Sequence, residues 1–128
     1  MEERLTKRER LKSKLVIDQL FIEGKSINQF PLKLIYLPLP NTPDSCSKIM
    51  VVAPKKKFKK AVDRNRVKRL LRESYRQQKT TIFNNINQDF AFAILYLGKE
   101  MPTYVQIQSQ MGKLFSKFHK KIFDEKTV

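Results

Sequence analysis

The residues with chemical capacity are cationic, and they crowd into one stretch from Lys55 to Arg76 that reads KKKFKKAVDRNRVKRLLRESYR. It holds 11 of the chain's 27 lysines and arginines against two acids, Asp63 and Glu73, and so supplies +9 of the +15 net charge. At about 100° per residue, Val67, Leu70, Leu71 and Tyr75 share one arc of a helix. Asn65, Lys68, Arg69, Arg72 and Arg76 share the opposite arc, with Arg66 at its border. Arg64, Lys68, Arg72 and Arg76 recur every four residues, which stacks like charges at a cost of roughly a few tenths of a kcal/mol per pair. Solvated helix faces usually mix signs. This face barely does, and an anionic partner would relieve the repulsion.

Catalytic chemistry is harder to find. A protein nuclease needs clustered carboxylates for divalent metals, or an acid and base pair held at a phosphate. The 12 acids of this chain are scattered, and Glu73, four residues after Arg69, reads as its ion-pair partner. There is no zinc-ligand spacing, no P-loop and no glycine-rich dinucleotide turn. Cys46 is alone and can form neither an internal disulfide nor a thiolate metal site. His119, the only histidine, reads as a surface residue of the last helix. The expectation is a binding polypeptide with no catalytic or metal-ligating residues of its own.

With 128 residues, 41% of them hydrophobic, and a pI near 10.1, the chain is the size of one domain with one modest core. Its charge points to nucleic acid first and an anionic membrane second. No apolar run approaches the roughly 20 residues of a membrane span, and MEERLTKRER is followed by no apolar signal-peptide core. The expected location is the cytoplasm, with no membrane contact.

The elements that must position the basic stretch follow from periodicity. Residues 1–12 read as a loose basic arm or a frayed helix start. Ser13 can cap a helix that Gly24 ends, with Val16, Ile17, Leu20 and Phe21 on one arc. Ile17 and Phe21, at its edge beside Lys14, suit either the core or a cleft. From Ser26 to Leu37 the pattern alternates as in a strand, with Leu32, Leu34 and Tyr36 on one side and Lys33, Ile35 and Leu37 on the other. Pro31 places it at or near an edge. The stretch 38–47 is turn-rich. A second strand over 48–53 should pair antiparallel with the first. The basic helix, from about residue 60 to 79, then leads to DFAFAILYL at 89–97, apolar enough for a strand buried on both faces and parallel to the strand before the helix. Pro102 and Thr103 open a last helix. Its stripe of Tyr104, Ile107, Met111, Leu114, Phe115, Phe118 and Ile122 faces the core, and Lys113, Lys117, Lys120 and Lys121 solvate its outside.

One long signature lies inside this frame. Phe58, Ala61, then Arg64-Asn65-Arg66-Val67-Lys68-Arg69 and Arg72 resembles the protein subunit of bacterial ribonuclease P, and the likeness extends over most of the chain. Lys59 departs from it, standing where many members have glycine, which bears on the turn before the helix.

The resemblance implies a single α+β domain over 1–128, of order α-β-β-β-α-β-α, with a four-stranded mixed sheet, three helices and an unusual left-handed β-α-β crossover. It implies that the catalytic centre lies in an RNA subunit that carries Mg2+, the polypeptide binding no cofactor itself. Its partners would be that catalytic RNA and precursor tRNA, with no obligate protein partner. Lys56, Lys57, Lys60, Arg64, Asn65, Arg66, Lys68, Arg69 and Arg72 would contact the RNA subunit. Ile17, Phe21 and Tyr36 would line a cleft for the single-stranded 5′ leader, although Tyr36 also suits a core position. A general structured-RNA binder such as a ribosomal protein shares the charge, size and fold class. Copurification with one discrete noncoding RNA, and not with ribosomes, separates the two.

Overall fold

A computed structural model of the chain describes residues 7–41, 46–83 and 86–126, with side chains to residue 123. A short 3-10 turn, Lys7–Glu9, precedes α1 (Lys14–Glu23), β1 (Lys25–Gln29), β2 (Leu32–Leu39) and β3 (Lys48–Val52). The basic helix α2 (Ala61–Ile82), β4 (Asp89–Tyr96) and α3 (Tyr104–Lys126) complete the chain. The four strands form one mixed sheet in the order β1-β2-β4-β3, as the α+β expectation requires.

Two strand expectations are corrected. The alternating run 26–37 is two strands, β1 and β2, which turn back at Phe30 and Pro31 and pair antiparallel from Gln29↔Leu32 to Lys25↔Tyr36. Nor does β3 pair with β2. It pairs parallel with β4, and β4 inserts between them, antiparallel to β2. The physical reason is visible in β4 itself: a strand apolar on both faces loses most if left at an edge, so it takes the interior. The stretch expected to be turns also starts later than Pro38, because β2 runs on through Leu39; its residues 42–45 lie outside the described residues.

On one face of the sheet, Leu32, Leu34 and Tyr36 of β2 and Phe90, Phe92, Ile94 and Tyr96 of β4 pack under α2 and α3. The α3 stripe is buried as expected from Ile107 to Ile122, with Tyr104 at its border. Phe92 meets Phe115 and Phe118 edge-on at centroid distances of 5.5 and 5.3 Å, the geometry that ring quadrupoles favour. The α3 start is a reciprocal cap: Gln106 N donates to Thr103 Oγ1 at 3.2 Å and Thr103 N donates to Gln106 Oε1 at 3.0 Å. Buried Ser74 donates from Oγ to Gln108 Oε1 at 3.2 Å and so joins α2 to α3.

The other face carries α1, joined by Leu11 of the segment before it. Leu20 is fully buried there against Ala91 and Ala93. Ser13 caps the helix, its Oγ accepting from Val16 N at 3.4 Å. Gly24 ends it with φ of −66°, not with a left-handed turn. A glycine is needed there because a Cβ would stand 2.2 Å from the Leu20 carbonyl oxygen and 2.8 Å from Ile35 Cγ2.

The expected loose arm is also corrected where it is described. Residues 1–6 lie outside the described residues, but Arg10 forms a parallel bridge with Ile49 and Leu11 N donates to the Ile49 carbonyl at 2.9 Å. Lys48 Nζ donates to the Arg8 carbonyl at 2.8 Å, and Glu9 pairs with Lys79 at 3.1 Å. Leu11 is buried. An apolar residue at that position gives the segment something to bury, and the free edge of β3 gives its backbone a partner.

Candidate nucleic-acid interface

The helix that carries the basic stretch is held from below. Val67, Leu71 and Tyr75 are buried against the sheet, so the other side of α2 must face outward. Lys56, Lys57, Lys60, Asn65, Arg66 and Arg69 are exposed, and Arg64, Lys68 and Arg72 are half-buried. The nine residues expected to contact RNA thus lie on the entrance loop and the outer half of one helix. Asp63 sits in the first turn of α2, where an acid is favourable to the helix dipole. The Arg72 guanidinium is pulled below the usual arginine value, first by burial and then by repulsion from Arg10 and Arg69. It remains charged at any physiological pH. Arg10 therefore belongs to the same cationic surface. Sequence periodicity missed it because its placement depends on the Ile49 bridge, a contact across 39 positions of the chain.

Two details differ from the helical wheel. Arg64 turns back and donates from one terminal nitrogen to the carbonyls of Phe58 and Lys59, at 2.9 Å each. This braces the turn at the position where Lys59 departs from the family pattern. Glu73 pairs with Arg76 and not with Arg69: Arg76 Nε donates to Glu73 Oε2 at 3.0 Å, and a second, shorter contact joins the same two groups. Accordingly the hydrogen bond from Arg76 lowers the Glu73 pKa, with partial desolvation opposing it. The charge of Arg76 is thereby offset by Glu73, so the stretch of cations without an acid partner among the described residues runs from the entrance loop to Arg72.

On the α1 side, the half-buried Ile35, Leu37, Met50 and Leu95 form an apolar floor with Ala91 and Ala93. Ile17 is half-buried on this floor, and Phe21 stands at the helix edge with 46% of its surface exposed. Register puts Lys33 opposite Leu95 and Lys48 opposite Ala91, hence on the same face. These two lysines are cleft candidates that the sequence reading passed over, and their alternation with Ile35 and Met50 was the available signal.

Tyr36 is a correction. It lies on the opposite face of the sheet, 1% exposed, with its ring edge-on to Phe118 at 5.0 Å and Lys121 Nζ 5.9 Å from its centroid. Tyr36 and Ile35 are neighbours in a strand and so point to opposite faces. Only one of them can line a cleft beside α1. Two of the lysines assigned to solvation are also tied down, since Lys117 Nζ donates to the Asn28 carbonyl at 3.0 Å while Lys121 covers Tyr36.

Among the described residues, no three of His, Cys, Asp or Glu come together in a way that could hold a metal ion. Nor, among the described residues, is any helix long and apolar enough to cross a membrane. What the described surface offers is a cationic ridge on one side and an apolar, lysine-flanked cleft on the other.

Comparison with known proteins agrees with that chemistry. The family model for ribonuclease P matches residues 5–119. The ribonuclease P protein component of Porphyromonas gingivalis is 34% identical over 113 residues, spanning 85% of this chain and 82% of that one. Its counterpart from Petrotoga mobilis is 37% identical over 114 residues, spanning 87% and 92%. Among solved structures, the ribonuclease P protein of Staphylococcus aureus superposes with a TM-score of 0.68 at 19% identity, covering 84% of this chain and 93% of that one. The protein from Thermotoga maritima gives 0.63 at 22%, covering 91% and 97%. At those identities the two structures speak to the fold, while the family model and the sequence relatives speak to descent. The chain belongs to the ribonuclease P protein family.

Proposed function

We propose that this chain, as the protein component of a tRNA-processing endoribonuclease, grips the catalytic RNA of ribonuclease P with α2 and steadies the 5′ leader of precursor tRNA in the cleft beside α1. The observation that carries this reading is the entrance loop and outward half of α2, where the cations from Lys56 to Arg72 have almost no acid among them. Guanidinium groups suit such a contact because each grips a phosphate through two hydrogen bonds and can also stack on a base. Lys56, Lys57 and Lys60, at the helix entrance, add phosphate charge with less directional demand.

The leader is single-stranded, so its bases are free to meet apolar and aromatic side chains. Phe21 offers a ring at the helix edge, and Ile17 offers apolar contact without stacking. Lys33, on the same face as the apolar floor, adds a cation for the backbone phosphates of such a strand, whereas the Lys48 amine is held by the Arg8 carbonyl. The polypeptide's part is to bind and orient; the Mg2+ that supports hydrolysis is held by the RNA subunit, in keeping with the scattered acids of this chain. The place of work is the cytoplasm.

Reconstitution tests the reading. Adding the protein to a ribonuclease P RNA should lower the concentration of precursor tRNA needed for half-maximal cleavage and leave a mature 5′ end, while protein free of RNA should cleave nothing. Cleavage by the protein alone, or no effect on the RNA's activity, overturns it.

A further inference from the structure

The end of the sheet where α2 and α3 begin carries a groove that the α1 cleft does not use and that shares only Lys57 with the basic ridge. Three connections meet there: the β1–β2 turn with Phe30 and Pro31, the basic loop 54–60, and the loop 97–103 that leads into α3. Between them lies an open groove whose apolar wall includes Phe30, Tyr96, Met101 and Ile107, with Lys57 and Lys99 on its rim. Phe30 is 73% exposed. Exposed apolar residues standing singly on a surface need no explanation, but this ring lines the same groove as two exposed lysines.

The wall behind the ring is rigid. The Tyr96 phenol donates to the Glu100 carbonyl at 2.9 Å, and its ring lies 5.9 Å from that of buried Phe58. Gly98 permits this, since a Cβ there would stand 2.4 Å from the Tyr96 hydroxyl oxygen. Leu97 N donates to the Pro31 carbonyl at 2.7 Å and so fixes the Phe30 turn against the same loop. Glu100 also lines the groove. Neither Lys57 nor Lys99 has an ion-pair partner among the described residues.

We propose that this groove is a nucleotide subsite, in which the face of one unpaired RNA base stacks on Phe30 while Lys57 and Lys99 hold its flanking phosphates. An aromatic platform beside cations is what an unstacked base with its backbone demands, and an apolar peptide would leave both ammonium groups unused. Position supports the choice of RNA: Phe58 and the lysines of loop 54–60 join the groove directly to the start of α2, so one RNA can run from the ridge into it. The subsite thus rests on the reading of α2 as an RNA-binding ridge.

The chain contains no tryptophan, so Phe30→Trp introduces a lone fluorophore at the proposed platform. Titrated with a ribonuclease P RNA, and separately with single-stranded oligoadenylate, its emission should be quenched as a base stacks on the indole. Phe30→Ala should bind the ribonuclease P RNA roughly tenfold more weakly, with the slope of log K against log salt unchanged, because a ring releases no counterions. Lys57→Gln combined with Lys99→Gln should weaken binding and flatten that slope. Either unchanged emission at saturating RNA or wild-type affinity of Phe30→Ala overturns the subsite. Arg66→Ala, measured alongside, keeps the two readings apart. If it loses affinity while Phe30→Ala does not, the subsite fails and the ridge stands; if it binds normally, the ridge itself is wrong.

Discussion

The two faces of the sheet are made from the same four strands and packed very differently. On one, Tyr36, Phe90 and Phe92 meet Tyr75, Phe115 and Phe118 under helices of 22 and 23 residues. On the other, β4 presents Ala91 and Ala93, and a single helix of 10 residues leaves Ile35, Leu37, Met50 and Leu95 half-buried. The alternation of large and small residues along β4 produces both, because successive side chains of a strand point to opposite faces. The closed face holds the fold together. The open face keeps apolar surface within reach of a ligand at the cost of stability it could have contributed.

The largest effect that sharpens this contrast is cavity formation. Phe92→Ala, removing a ring in contact with Phe83, Phe90, Phe115 and Phe118, should cost about 3–5 kcal/mol. Ile35→Ala, on the open face, should cost less than half as much. Denaturant melts of the two variants measure this, and equal losses would mean that the faces are not different in kind.

The next effect concerns RNA and not stability. Arg66→Ala should leave the melting temperature nearly unchanged, weaken binding to the ribonuclease P RNA, and flatten log K against log salt by somewhat under about one unit. Leu71→Ala, on the buried side of the same helix, should lower stability by about 2–5 kcal/mol and leave the salt slope alone. Early melting of the arginine variant with an unchanged slope would make Arg66 structural.

A third pair tests the open face directly. Phe21→Ala should weaken precursor tRNA binding by roughly 1 kcal/mol or more, with little change for mature tRNA, which lacks the leader. Tyr36→Ala should instead melt early and show no preference between the two RNAs. If Tyr36→Ala discriminates between them, the cleft lies on the wrong face.

The smallest effect is electrostatic. Since the folded Glu73 pKa lies below its ordinary value of 4.5, its pairing with Arg76 stabilises the fold above that value and is lost as pH falls through the lower folded one. Glu73 is 42% exposed, so the contribution is about a few tenths of a kcal/mol. Glu73→Gln should narrow the stability difference between pH 7 and pH 3 by that amount in paired melts. A widened difference would reverse the sign.

Much of this was legible from local pattern. The ends of α1, the buried side of α2, the α3 stripe and the interior position of β4 all follow from periodicity and capping, which depend on residues close in sequence. What escaped depends on contacts between distant segments. Whether β3 lies beside β2 or β4 is a competition for one edge, and nothing in residues 48–53 decides it. Tyr36 was correctly placed opposite Ile35 by alternation, yet which side would receive α1 could not be read from β2. Arg76 fits the basic arc by angle, but its choice of Glu73 removes it from the set, and Arg64 likewise spends two hydrogen bonds on its own loop.

The short segment around Arg10 has a consequence for how copies of this chain behave toward one another. β3 is one of the two outer strands of the sheet, and the unpaired amides and carbonyls of an outer strand are a ready template for the strand of a second molecule. The bridge from Arg10 and the hydrogen bond from Leu11 occupy that template at Ile49, while the charges of Arg8, Glu9 and Arg10 make the covering segment itself a poor surface for further pairing. A chain trimmed past Leu11 would therefore keep its main aromatic core and its RNA-facing helix, but would expose a strand able to join another sheet edge to edge.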